Sequence, residues 1–148
     1  MTRKNARELA VRFCFALSEN LRGADEFLEE FFEDEHFSTL ASEDELFAEK
    51  PDEKQLSYIT HVVRGICEHS AELDGYIDKY SRGWKFERIS RTALAAMKVA
   101  MFEIMYMPEV PNGAAINEAV EISKKYDEEE TVKFVNGLLG SFAKSEAF

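Results

Sequence analysis

One segment constrains the fold more than any other. Between Ser90 and Pro108 the chain carries Ala93, Leu94, Ala95, Ala96, Met97, Val99, Ala100, Met101, Phe102, Ile104 and Met105 with almost no polar relief. It shows no strand alternation, and it falls short of the roughly 20 residues a helix needs to span a bilayer. A helix that is apolar nearly all round must lie at the centre of a core. Ser90 supplies an N-cap, and Pro108 and Pro111 stop the pattern, so a central helix is expected from 91 to about 107.

The other segments supply amphipathic partners for it. Residues 3–21 repeat Ala6, Leu9, Ala10, Phe13, Ala16, Leu17 and Leu21 at helical spacing, with Thr2 as N-cap and Arg22-Gly23 as the stop. Arg3, Lys4 and Arg7 fall on one face of that helix, read as exposed. A second helix is expected over 24–36, with Phe27, Leu28, Phe31 and Phe32 inward. An acidic connection follows near 37–50, with a short helical turn around 43–49. Pro51 suits a first helical position for a helix over 51–70, striped by Leu56, Ile59, Val62, Val63, Ile66 and Cys67. Leu73, Ile77 and Tyr80 mark a shorter helix over 71–81, and Ser81-Arg82-Gly83 breaks it. Beyond the central helix, Asn112 is read as the cap of a helix over 113–126, with Ala115, Ile116, Ala119, Val120 and Ile122 inside. Asp127 is read as the cap of a helix over 128–144, striped by Val132, Val135, Leu138, Leu139 and Phe142. The expectation is an all-α chain of six or seven helices, with 1–148 forming a single helical domain.

Composition agrees with a packed core and sets the electrostatic question. The chain is 45% hydrophobic with 12 Phe, while 7 Gly and 3 Pro leave little material for the turns of a β-sandwich. A net charge of −11 argues against a nucleic-acid partner until its distribution is read. Residues 1–22 sum to +3, residues 23–53 to −12, and residues 54–148 to −2. The excess acid sits in one stretch, read as wetted surface or as a binding tail, and basic faces remain elsewhere. The basic start of the chain is not followed by a continuous apolar stretch, so no secretory signal or membrane span is expected and the cytoplasm is the expected location. Cys14 and Cys67, both on apolar stripes, are read as buried thiols in preference to a disulfide.

The residues that could carry chemistry point away from catalysis. There is no Gly-x-Ser-x-Gly elbow, no phosphate-cradling glycine loop and no His-Glu-x-x-His helix. Glu33-x-x-His36 has a di-metal spacing but no second copy, and Cys67-Glu68-His69 places its ligands in different directions. No catalytic residue, metal ligand or cofactor is assigned. Nucleic-acid binding has better material. Arg3, Lys4 and Arg7 stand at a helix start, where basic groups and the helix N-terminus attract phosphate. Lys79, Arg82, Lys85, Arg88, Arg91 and Lys98 interleave with Trp84 and Phe86, the pairing of cations and stacking faces that holds single-stranded RNA. Trp84 and Phe86 also suit a core junction, the preferred reading for Trp84, and residue chemistry alone leaves RNA binding open beside it.

The C-terminal half carries a resemblance that favours one of them. Trp84…Arg88…Met97-Lys98-Val99-Ala100-Met101-Phe102-Glu103-Ile104 is followed by Val110-Pro111 and Ala115-Ile116-Asn117-Glu118-Ala119-Val120-Glu121. Lys124-Lys125-Tyr126 and Lys133-Phe134-Val135-Asn136-Gly137-Leu138-Leu139 come next, and Ala6-Arg7-Glu8-Leu9-Ala10-Val11 opens the chain. In order and spacing this resembles the NusB family, over roughly 1–22 and 56–144. The resemblance implies two small helical bundles packed together and a transcription antitermination factor, not an enzyme. It implies binding of boxA RNA in ribosomal RNA leader transcripts as a heterodimer with NusE, a small-subunit ribosomal protein, within the RNA polymerase antitermination complex. Some family members self-associate, so a homodimer stands beside the heterodimer.

By the same resemblance the RNA contacts are Arg3, Lys4 and Arg7, the aromatic Phe15, and Glu130, Lys133 and Phe134. Asn117 and Asn136 are read as structural, and Gly137 as permitting close helix approach. Two departures stand out. Asn5 occupies a place where another cation is common, which predicts a shallower salt slope and weak RNA affinity without the partner. Ala93-Leu94 replaces an acidic-Arg pair, so whatever that pair contributes to partner docking is missing. Two other readings compete. The same fold serves as the RNA-binding domain of ribosomal RNA cytosine methyltransferases, which a chain ending at Phe148 would match only as a fragment. A helical protein-interaction module gripping a basic partner would show no RNA dependence.

Overall fold

The computed structural model describes residues 1–19, 23–31, 46, 50–146 and 148. Among them it is all-helical, with seven α-helices, a 3-10 turn at Phe86–Arg88 and no strand. These divide into two compact units, residues 1–67 and 68–148.

The first unit holds α1 (Arg3–Glu19), α2 (Ala24–Phe31) and α3 (Glu53–Glu68). Thr2 caps α1 as its sequence position predicts, its Oγ1 accepting from the Asn5 amide at 3.1 Å. Ala6, Leu9, Ala10 and Phe13 are buried, and the edge of the Phe13 ring meets Phe27 and Phe31 at centroid distances of 5.7 and 4.4 Å. Such edge-to-face contacts add about 0.5–1.5 kcal/mol beyond the area they bury. For α3 the middle of the predicted stripe holds, while its two ends and the start of the helix do not. Asp52, not Pro51, begins the helix: its Oδ1 accepts from the Gln55 amide at 3.0 Å. Ile59, Val62, Val63 and Ile66 are buried, but Leu56 is 37% exposed and Cys67 is exposed too. Tyr58 and Gln55 fill the inner face beside Ile59, which rotates the stripe away from Leu56 and Cys67. The expected burial of both thiols therefore fails: Cys14 is half-buried, Cys67 is exposed, and neither forms a disulfide. The acidic connection near 37–50, the end of the second predicted helix, Phe32 and the Glu33-x-x-His36 spacing lie largely outside the described residues.

The second unit holds α4 (Ser70–Tyr80), the 3-10 turn Phe86–Arg88, α5 (Arg91–Tyr106), α6 (Asn112–Tyr126) and α7 (Glu129–Ser145). The helix α5 is the central element that its composition requires, packed against α4, α6 and α7. Ten of its residues are buried, Met97 and Met101 completely. Around them close Leu73 and Ile77 from α4, Ala115, Ala119 and Ile122 from α6, and Val135, Leu138, Leu139 and Phe142 from α7. Each fully buried Leu, Ile or Phe contributes about 1.5–3 kcal/mol.

Two caps differ from expectation. Asn112 is the first residue of α6 and makes no cap bond; its Nδ2 donates to the Phe148 carbonyl at 2.8 Å. Asp127 makes no cap bond to α7 either. Its carboxylate accepts from Ser90 Oγ at 2.7 Å and from Thr92 Oγ1 at 3.1 Å. Ser90 Oγ in turn accepts from the Ala93 amide at 3.1 Å, so the predicted N-cap of α5 holds. One carboxylate thus ties the α6–α7 junction to the start of the central helix.

Candidate nucleic-acid interface

The short link from α4 to α5 positions the aromatic residues of the second unit. Ser81 ends α4, and Gly83 takes a φ of +79°, a conformation in which any other L-residue is strained. The chain thereby swings Trp84 toward α7, where its ring lies 4.8 Å from that of Phe134 at an interplanar angle of 34°. Both rings are half-buried, so each keeps an accessible part. They line an open cavity of about 390 Å³ whose walls also include Tyr80, Arg82, Glu130 and Lys133.

The charges around this cavity are suited to an anionic ligand. Arg82 and Lys133 are exposed at its walls. Lys133 Nζ lies 3.5 Å from Glu129 across one helical turn, an exposed pair of the kind worth well under 1 kcal/mol. It can be exchanged for a phosphate. Glu130 brings an acceptor to the same wall, able to take a hydrogen bond from a base edge. Of the other cations in the predicted run, Lys98 is bound to Asp74 at 2.7 Å and Lys79 to Glu146 at 2.7 Å. The run is therefore not one continuous patch. Lys85, Arg88 and Arg91 remain exposed, and Phe86 is half-buried.

In the first unit the predicted residues are arranged differently. Lys4 is exposed, Arg3 and Phe15 are half-buried, and Arg7 is only 8% exposed. The expected common exposed face of Arg3, Lys4 and Arg7 is corrected for Arg7. The Tyr58 ring of α3 meets that face, with the Arg3 guanidinium 4.1 Å and the Arg7 guanidinium 5.8 Å from its centroid. Arg3 Nε also donates to Gln55 Oε1 at 2.7 Å. Tyr58 and Gln55, three residues apart on α3, thus fix the direction of two cations.

Glu130, Lys133 and Phe134 are brought together, and Arg82 and Trp84 join them. Sequence reasoning missed Tyr80 and Ser141 as cavity residues. The apolar stripe of α4 accounted for Tyr80, while nothing local singled out Ser141. Among the described residues no three or more His, Cys, Asp and Glu side chains form a group able to hold a metal ion, and no helix is long and apolar enough to cross a membrane.

Comparison with known proteins places this arrangement. The NusB family model matches residues 4–144. The transcription antitermination protein NusB of Acetivibrio thermocellus is 35% identical over 97% of this chain and 90% of its own length. That of Clostridium kluyveri is 34% identical over 99% of this chain and 97% of its own. The solved structure of T. maritima NusB superposes with a TM-score of 0.79 at 26% identity, covering 97% of this chain and 92% of that one. With the match running from the first helix to the last, the chain belongs to the NusB family of transcription antitermination factors, which are not enzymes.

Proposed function

We propose that this chain binds the boxA element of ribosomal RNA leader transcripts together with NusE, and so helps RNA polymerase read through terminators. One observation carries the reading beyond family membership: the half-buried Trp84–Phe134 pair with Arg82 and Lys133 beside it in an open cavity. Stacking of a base on an aromatic face is worth about 1–3 kcal/mol, and the flanking cations take the phosphates. Glu130, Lys133 and Phe134 are the contacts in the second unit. Arg3, Lys4 and Phe15 are those in the first. Lys4, exposed to solvent, is the readiest phosphate partner there. Arg7 acts by orienting the start of α1 against Tyr58.

Fluorescence anisotropy with a boxA oligonucleotide and a scrambled control, with and without NusE, tests this. Tighter binding to boxA when NusE is present, weakened by Phe134→Ala and Lys4→Ala, is the expected outcome. Equal binding of both RNAs with NusE still bound would leave a protein-interaction module in place of an RNA reader.

A further inference from the structure

The end of α7 holds a carboxylate where helix electrostatics disfavours one. Glu146 is the C-cap of α7, its backbone N–H donating to the Phe142 carbonyl. The partial negative charge of a helix C-terminus repels an anion at that position. Yet the Glu146 side chain is only 18% exposed, turned onto Lys79 Nζ at 2.7 Å and the hydroxyl of Tyr80. The Tyr80 ring is set by an edge contact with Phe142 at 6.3 Å, and Lys79 Nζ stands 5.3 Å from the Tyr80 centroid. An ammonium and a phenol thus converge on one acceptor. Tyr80 is also a wall of the Trp84–Phe134 cavity.

We propose that Glu146 is a built-in occupant of an anion site made by Lys79 and Tyr80, and that a backbone phosphate of single-stranded RNA displaces it. The inference rests on the RNA-binding reading above and adds a masked subsite to it. Two donors that accept a carboxylate accept a phosphate oxygen equally well. The strap lowers apparent affinity by the fraction of molecules in which the site is open. Its hold on the pair keeps the Glu146 carboxyl below the ordinary carboxylate range, through the hydrogen bonds from Lys79 and then Tyr80. An ion pair whose cation is 59% exposed, as Lys79 is, corresponds to an effect of about two- to fivefold.

The test measures, with NusE present throughout, the anisotropy of boxA and scrambled oligonucleotides with the wild-type chain, Glu146→Ala, Glu146→Ala/Lys79→Ala, and Glu109→Ala as a control of equal charge change. Glu109 is an exposed residue between α5 and α6. The strap predicts about two- to fivefold tighter binding for Glu146→Ala and a smaller gain for Glu109→Ala. Adding Lys79→Ala should cancel the gain and reduce the salt slope by about 0.7, one phosphate on a single strand. If Glu146→Ala matches the wild type while boxA is still preferred, the strap is overturned and the boxA reading stands. If Glu146→Ala tightens both RNAs equally, the strap stands and boxA recognition falls. If no variant binds either RNA, both fall.

Discussion

Replacing Asp127 by alanine removes the acceptor that joins the α6–α7 junction to the start of α5. The carboxylate takes the Ser90 hydroxyl at 2.7 Å and the Thr92 hydroxyl at 3.1 Å to each oxygen. Hydrogen bonds to a charged acceptor contribute about 1.5–3 kcal/mol each. The Thr92 bond is longer and shared between two oxygens, and both hydroxyls are half-buried, so water can replace part of what is lost. The expected cost of Asp127→Ala is therefore about 2 kcal/mol, below the roughly 3 kcal/mol that two such bonds at their weakest would give. Urea unfolding followed by circular dichroism reads this directly, and a fall in melting temperature of about 4–8 °C should accompany it. Ser90→Ala loses the α5 cap and one bond to Asp127, also about 2 kcal/mol. Because the two share an interaction, the double variant should cost at least about 1 kcal/mol less than the sum of the singles. A cost below about 0.5 kcal/mol for Asp127→Ala, the level of an ordinary surface change, or strict additivity in the cycle, would refute the tie.

Three further outcomes follow from the same geometry. Gly83→Ala meets no atom within 4 Å of the added Cβ, so its cost comes from the φ of +79° alone. That cost is about 1 kcal/mol in urea unfolding. Tyr106 donates to Glu72 Oε1 at 2.7 Å, and that bond, with some burial, raises its pKa above the ordinary 10.0. The raised folded-state value makes its contribution complete below the ordinary pKa and lost as pH rises through the folded one. Tyr106→Phe should therefore lower the urea midpoint at neutral pH and flatten its decline at alkaline pH. Finally, Trp84→Ala and Phe134→Ala should each weaken boxA binding by about 1–3 kcal/mol in anisotropy, while changing Phe86 beside them should do less.

How much of this was legible in the sequence depended on the range of each interaction. The density of apolar residues after Ser90 required α5 to be central, and Ser90 and Pro108 marked its ends. The Thr2 and Ser90 caps were equally local, each reaching an amide three residues on. Asp127 and Asn112 carried the same local signal, but distant partners took their side chains: hydroxyls 35 and 37 residues earlier for one, and the Phe148 carbonyl for the other. No window along the chain contains that competition. Arg7 failed for the same reason, since spacing gives a shared helix face but Tyr58 decides that the face is covered. In the candidate site, Phe134 and Lys133 came from resemblance, while Trp84, for all its cationic neighbours, read first as a core residue. Their meeting at 4.8 Å needed the left-handed turn at Gly83, which composition does not announce.

The chain contains one tryptophan, and it lies in the cavity on which the functional account turns. Intrinsic fluorescence of Trp84 during titration with boxA RNA, in the presence of NusE, is therefore the most direct measurement. Base stacking on this pair should give saturable quenching at the midpoint seen by anisotropy, little response to scrambled RNA, and loss of the quenching in Phe134→Ala. RNA bound by anisotropy with Trp84 emission unchanged would contradict it, because the bases would then be stacking elsewhere.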